Sequence, residues 1–407
     1  MSTPCPHQER LELVDALRGA ALFGVLLVNM LWFAGFDNTL NEAQVAALTA
    51  PAVDQLAETA IDLLFFAKSI GIFTFLFGFG FLLQIHSLRQ RDVPGARRVY
   101  ARRMTGLLAL GLAHWVFLWS GEILHVYAIG GFVLLAMERW RTRTLVIVGL
   151  LVALLARPVL GRALALLTTG IGTGFVPGDV QLGYRFDTFM SGGLVDVVRI
   201  QMREDILPQI LTGVWFAAVV HALGRFMVGF AVAREGWLQH SERYRPQLAV
   251  LVVAGIAVGL FAQRDWLLRD WLNRTDLVVG AELNALLGHV FNSLGVLAMT
   301  AAYIAGFALA WQCSPARRAL MLLVPIGRTA LTSYLLQTPL CYLLFCGFGL
   351  GLMGRVGPAG CFMLSVLLFV AQVALSHVWL RHFRMGPVEW IWRWWTYRAR
   401  PPLRRSV

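Results

Sequence analysis

The chain has 407 residues, 58% of them hydrophobic and only 14% charged, with a formal net charge of +12 and a mean hydropathy of +0.66. A soluble globular protein carries about 25% charged residues. The composition therefore excludes a secreted soluble enzyme, a disordered chain and a nucleic-acid-binding domain, and leaves an all-α polytopic transmembrane helical bundle.

Ten segments are apolar enough to span a bilayer, each needing roughly 20 residues: 16–36, 61–86, 104–120, 122–137, 144–176, 206–233, 247–264, 284–312, 319–347 and 359–380. Together they predict one transmembrane domain, 1–380, followed by a basic, Trp-rich tail, 381–407. The first run contains Arg18 and lacks an A-x-A cleavage site, so it reads as a membrane helix rather than a signal peptide. Within it Asp15 and Arg18 are three residues apart and can pair on one face. Asn29 falls on the same face about 16 Å deeper, so the polar stripe lines either a ligand path or an interhelical contact.

The second segment holds Lys68, the one lysine beside 34 arginines, with Asp62 or Glu122 as its expected partner. Charge at a helix centre costs about 2.5–3.5 kcal/mol on insertion scales, which marks Lys68 as a candidate functional cation. Gly71, Gly78 and Gly80 follow and allow close helix approach. A tight turn at Gly121-Glu122 joins the third and fourth segments, bringing Glu122 near His114, His125 and Tyr127. A carboxylate beside imidazoles can orient a base, or form a satisfied polar knot.

Arg157-Pro158 interrupts the fifth segment, which reads as one kinked helix or as a span followed by an interfacial piece. His221 and Arg225 are one turn apart in the sixth, and His289 and Asn292 are near neighbours in the eighth. In the ninth, Pro325 and Gly327 break the helix ahead of Arg328, Thr329, Ser333, Tyr334 and Gln337. A new helix start beside an arginine can bind an anion, or be re-satisfied internally. The tail predicts an interfacial helix at the inner face, with tryptophans at headgroup level, arginines toward anionic lipid and Glu389 complementing its own amino terminus.

With ten spans and both termini inside, inner segments hold 22 arginines and outer segments eight, and loop 37–60 has none. The positive-inside rule supports that orientation in a bacterial inner membrane. Five cysteines, Cys5, Cys313, Cys341, Cys346 and Cys361, show neither CxxC nor metal spacing, so no metal and no disulfide framework are expected. A homo-oligomer is compatible with the sequence.

The blocks RLELVDALRGAALFGVLLVNM, AKSIGIFTFLFGFGF, GEILHVYAIGG, GRTALTSYLLQTPL and GPVEWIWRWWTY occur in that order. Their succession resembles the YeiB-like family of bacterial inner-membrane proteins, whose function is unknown. The opening block is also similar to the first helix of the transmembrane acyltransferase superfamily, whose members carry an acyl group from cytoplasmic acyl-CoA across the membrane. That resemblance implies Arg18 along the CoA entry path and Asn29 at the transfer point; the arginines from 89 to 103, on the basic inner face, are candidates for holding the CoA phosphates. The histidine those enzymes place near that asparagine is absent between Asn29 and Pro51, so His114 or His125 with Glu122 becomes the expected base. Lys68, Arg328, Ser333, Tyr334 and Gln337 are the expected ligand-binding residues. A transporter with proton coupling at Glu122, and a non-catalytic scaffold, are the alternatives.

Overall fold

The computed structural model describes residues 12–37, 39–161, 163, 164, 167, 178–263 and 281–405. Cys5, Arg10, Arg162, Arg264, Arg269, Arg274 and most of 162–176 lie outside the described residues.

Among the described residues the chain is helical, with a single antiparallel bridge between Phe383 and Arg404. Helix α1 (Glu12–Leu31) runs into a π-turn at Trp32–Phe36. Two shorter helices follow, α2 (Glu42–Thr49) and α3 (Ala52–Leu64). Then come α4 (Lys68–Gln90), α5 (Ala96–Phe117), α6 (Leu124–Ala136) and α7 (Thr142–Leu155). A π-segment at Ala156–Gly161 carries the Arg157-Pro158 interruption. The next group is α8 (Gly178–Ser191), α9 (Leu194–Gln201) and α10 (Leu207–Leu211). Three long helices, α11 (Val214–Glu235), α12 (Arg245–Ala262) and α13 (Ala281–Trp311), precede the broken segment α14 (Ser314–Met321), α15 (Val324–Arg328) and α16 (Ala330–Phe345). The chain ends in α17 (Pro358–His382) and α18 (Pro387–Tyr397).

Seven helical stretches among the described residues are long and apolar enough to cross a membrane, and the molecule is a membrane protein. They match seven of the ten expected segments. The other three are α5, whose first turns carry arginines, and the short α6 and α16. With 13 residues, α6 is about 20 Å long, less than the ~30 Å hydrocarbon core.

The second expected segment is not one helix. It breaks at Phe65–Ala67, where Ala67 takes a left-handed φ of 62°, and α4 starts at Lys68. The break follows from the lysine. A buried ammonium needs oxygen, and the Lys68 Nζ turns back to donate to the Asp62 carbonyl at 2.8 Å, in the last turn of α3. That carbonyl would otherwise be one of the four orphan acceptors at a helix end.

Helices in lipid associate by close packing rather than by apolar transfer, and glycines supply the approach. Where α4 crosses α11, a β-carbon at Gly78 would overlap the Phe226 backbone, and one at Gly229 the Phe75 carbonyl. Gly327 of α15 lies equally close to the Asp15 carbonyl of α1. The central core gathers α1, α4, α5, α6 and α11 around Phe79, Phe81, Phe226 and Phe230. A second cluster joins the end of α1 to α16 through Phe33, Trp119, Tyr342 and Phe345 and includes the buried Cys341, Cys346 and Cys361.

Candidate functional site

Between α1, α4, α5, α6, α15, α16 and the tail helix α18 lies a cavity of about 260 Å³. One end is ringed by Arg18, Arg103, Arg328 and Arg393. The middle is apolar, walled by Phe73, Leu76, Phe77, Phe81, Met104 and Leu107. The other end is lined by Ile123, Leu124, Tyr127 and Tyr334.

At the mouth, Arg18 pairs with Asp15 at 3.0 Å, as the three-residue spacing predicts. A β-carbon at Gly80 would stand in ordinary contact with its guanidinium. Of the arginines from Arg89 to Arg103, Arg89 and Arg97 pair with Glu138, and Arg102 donates to the Thr396 carbonyl at 3.0 Å. Arg103 is the one of that block that lines the cavity. The tail helix is built into this wall. Trp392 donates to the Arg103 carbonyl at 2.7 Å, and the Arg103 guanidinium lies 3.6 Å over the Trp392 ring. Ile391 and Trp394 are exposed, and the half-exposed Trp395 donates to the Arg102 carbonyl at 3.0 Å.

The anion at the start of α16 is the protein's own. The helix resumes at Ala330, so Arg328 precedes the break rather than following it. The Glu389 carboxylate accepts from the amides of Leu331 at 2.8 Å and Thr332 at 3.1 Å and from the Thr332 hydroxyl. Glu389 therefore complements the dipole of α16 while standing, as expected, in the first turn of its own helix. Arg328 and Tyr334 line the cavity. Ser333 and Gln337 do not: Gln337 donates to the Gln372 side chain at 3.0 Å, and Gln372 donates to the Ser333 carbonyl at 3.1 Å, joining α16 to α17. Lys68 is also elsewhere, held by Asp62.

Asn29 is buried on α1. Arg18 and Val25 of α1 line the cavity, and Asn29, one turn after Val25, lies outside its wall.

Behind the deep end, the turn between α5 and α6 places the predicted carboxylate–imidazole group. Glu122 accepts from His125 Nδ1 at 2.6 Å and from the backbone amides of Leu124 and His125, so it also caps α6. The other ring nitrogen of His125 accepts the Trp215 indole N–H at 2.8 Å, and the imidazole is stacked on Trp115 at 4.3 Å. Both nitrogens of His125 are engaged. His114 differs: its Nε2 meets the Thr338 hydroxyl at 3.0 Å, its Nδ1 has no hydrogen-bond partner, and its ring lies against Tyr334. The Tyr127 hydroxyl and the Gln84 side-chain nitrogen, both in the cavity wall, are likewise buried without a partner among the described residues.

Beyond this turn, Arg185 of α8 donates to Asp37 at 3.0 Å, to Asp205 at 2.6 Å and to Thr39 at 2.8 Å. Burial raises Asp37 above the usual carboxylate range, and Arg185 draws it back. Ser120 then links Asp205 to the turn, and Gln201 links the turn to Tyr342. No group of three or more His, Cys, Asp or Glu among the described residues is arranged to hold a metal ion.

Sequence reasoning misses Trp215, Thr338, Trp392 and Arg393. The last two were legible only as members of an Arg/Trp-rich tail, and no local pattern marks the first two.

The family model described as "Protein of unknown function (DUF418)" matches residues 232–399, which include Arg328, Tyr334, Glu389, Trp392 and Arg393. The chain is similar to the uncharacterized protein YxaH of Bacillus subtilis, 30% identical over 99% of this chain and 98% of that one. It is also similar to the uncharacterized protein YeiB of Escherichia coli, 30% identical over 97% and 98% of the two chains. An uncharacterized 39.9 kDa protein of Bacillus acidopullulyticus is 26% identical over 98% and 97%. No solved structure matches the chain.

Proposed function

For a chain that belongs to the YeiB-like DUF418 family, we propose membrane acyl transfer, from acyl-CoA entering at the arginine-ringed mouth to an acceptor hydroxyl at the deep end. One observation carries this reading: the cavity changes character along its length, from guanidinium groups, through an aromatic and aliphatic middle, to the buried Tyr127 hydroxyl, which has no partner among the described residues. An acyl-CoA has the same sequence of properties, with phosphates, then a thin pantetheine arm, then a thioester carbonyl.

Arg103 is fixed by Trp392 and presents a fork suited to phosphate oxygens. Asn29 lies on the face that follows Val25 and holds the thioester end in register. His114 is the base: with Nε2–H donated to Thr338, its Nδ1 lone pair takes the acceptor's proton. The acceptor oxygen bonds to the thioester carbonyl carbon, the carbon–sulfur bond breaks, and the proton passes from His114 to the departing thiolate. The products are an ester and free CoA thiol. Glu122 and His125 are positioning residues that hold the turn behind His114. The arginine distribution supports a mouth at the cytoplasmic face of a bacterial inner membrane, with the exposed tryptophans of α18 at anionic headgroups.

The test is binding of acetyl-CoA and longer acyl-CoAs to the purified protein in detergent, with free thiol followed over time. Saturable binding weakened by Arg18→Ala, with thiol release lost in Asn29→Ala and His114→Ala, supports the reading. Absence of binding by every acyl-CoA, with the variants folded, sinks it and favours transport.

A further inference from the structure

Tyr127, at the deep end of the cavity, and Arg225, outside its wall, are two buried groups that the protein leaves unmatched among the described residues. Tyr127 is 6% exposed and lines the cavity, and its hydroxyl has no hydrogen-bond partner. Arg225, midway along α11, is also 6% exposed. Its Nε has no partner, and no ion pair involves it among the described residues.

Packing joins the helices that carry them. The Tyr127 ring stands edge-on to Phe226, at 5.2 Å and 86°, and the Phe226 ring fills the notch left by Gly130 one turn along α6. Arg225 is the residue that precedes, on α11, the ring that Tyr127 packs on. A guanidinium among apolar helices is costly without a nearby negative group, and so is a buried hydroxyl without an acceptor. One ligand property meets both needs: an oxygen that accepts a hydrogen bond and gathers negative charge.

We propose that Tyr127 donates its hydroxyl hydrogen bond to the carbonyl oxygen of the bound acyl thioester, with Arg225 as a fixed positive charge behind the phenol. Together they form an oxyanion site. The proposal rests on the acyl-transfer reading above. As the acceptor oxygen bonds to the carbonyl carbon, the carbonyl π pair moves onto oxygen and the negative charge appears there. Tyr127 keeps its proton throughout. When the carbonyl re-forms, the carbon–sulfur bond breaks, and the thiolate leaves and collects the proton held on His114. Donors aimed where charge develops stabilise the transition state more than the bound substrate. Tyr127 is thus the catalytic residue of the pair, and Arg225, which does not line the cavity, acts through it.

The experiment uses the full-length protein in detergent and a ketone analogue of acyl-CoA, in which a methylene separates sulfur from a ¹³C-labelled carbonyl. Infrared difference spectra of the bound analogue are expected to show the carbonyl stretch below its position in water. The shift should disappear in Tyr127→Phe and shrink in Arg225→Gln, while Arg225→Lys keeps most of it. Affinity for the analogue should stay within about threefold. Thiol release from acyl-CoA should fall about a hundredfold in Tyr127→Phe, the usual cost of removing one oxyanion donor. An unshifted carbonyl in the unaltered protein, or identical spectra and release rates in Tyr127→Phe, overturns the oxyanion site while leaving acyl transfer standing. Failure of the unaltered protein to bind either compound overturns both.

Discussion

The carboxylate of Glu389, in the tail helix, accepts the backbone amide of Leu331 at 2.8 Å, in the first turn of a helix 58 residues earlier. A segment that reads as an anchor is thereby the amino-terminal cap of α16, the helix that carries Tyr334 to the cavity. Mouth, tail and broken helix form one mechanical unit, closed on the α5 side by Trp392 and Arg103.

Glu389→Ala should therefore destabilise the protein by about 1–2 kcal/mol, the upper range for a lost cap with a charge on the helix dipole. Glu389→Gln should retain part of that stability. Thermal unfolding in detergent measures both, and limited proteolysis should cut near residue 386 sooner in the alanine variant. An unchanged midpoint in Glu389→Ala would show that the cap contributes nothing.

Lys68 separates a structural cation from a ligand-binding one. It is 2% exposed, donates to the Asp62 carbonyl and is outside the cavity wall. Lys68→Met should lower stability by about 2 kcal/mol, as for a charged hydrogen bond whose acceptor stays buried. Acyl-CoA affinity in the folded fraction should not change. A large loss of affinity at unchanged stability would return Lys68 to the ligand.

His114 and His125 should part company. His125→Phe removes the partner of both Glu122 and Trp215, and the variant should lose about 2–3 kcal/mol. His114→Ala should cost less stability and abolish thiol release, since its Nδ1 has no structural partner. Circular dichroism melting alongside the thiol assay distinguishes the two. Equal losses of stability and activity in both would make His114 part of the same knot.

Arg185→Met should leave Asp37 and Asp205 side by side without their shared cation, at a cost of about 2–4 kcal/mol at neutral pH. Burial already holds Asp37 above its ordinary range, and the variant loses the lowering that Arg185 supplies. A carboxyl whose folded pKa exceeds its unfolded value favours the protonated folded state. Stability of the variant should therefore rise as pH falls through the folded pKa, and fall again toward neutrality. Unfolding midpoints between pH 4 and 7 check the sign, and a variant that only loses stability on acidification contradicts it.

The sequence made the membrane architecture readable because apolar run length and arginine placement are one-dimensional signals. The Asp15–Arg18 pair and the Glu122–His125 pair were legible for the same reason, each lying three residues apart. The break before Lys68 was not, since the apolar run continues through it and only the need of a buried ammonium for oxygen ends α3. The tail's contribution to the cavity depends on contacts across nearly 300 residues, Trp392 with Arg103 among them. Ser333 and Gln337 share a helix with Tyr334 but face α17, a choice made by Gln372 on another helix.

The most direct test of the central claim is photolabelling with an acyl-CoA that carries a diazirine on its pantetheine arm, followed by peptide mapping. The account predicts adducts on the cavity-lining stretches of α4 and α5, within 73–81 and 104–107, suppressed by excess unlabelled acyl-CoA. Adducts confined to lipid-facing residues such as Val250 and Val253, with no suppression by competitor, would contradict it.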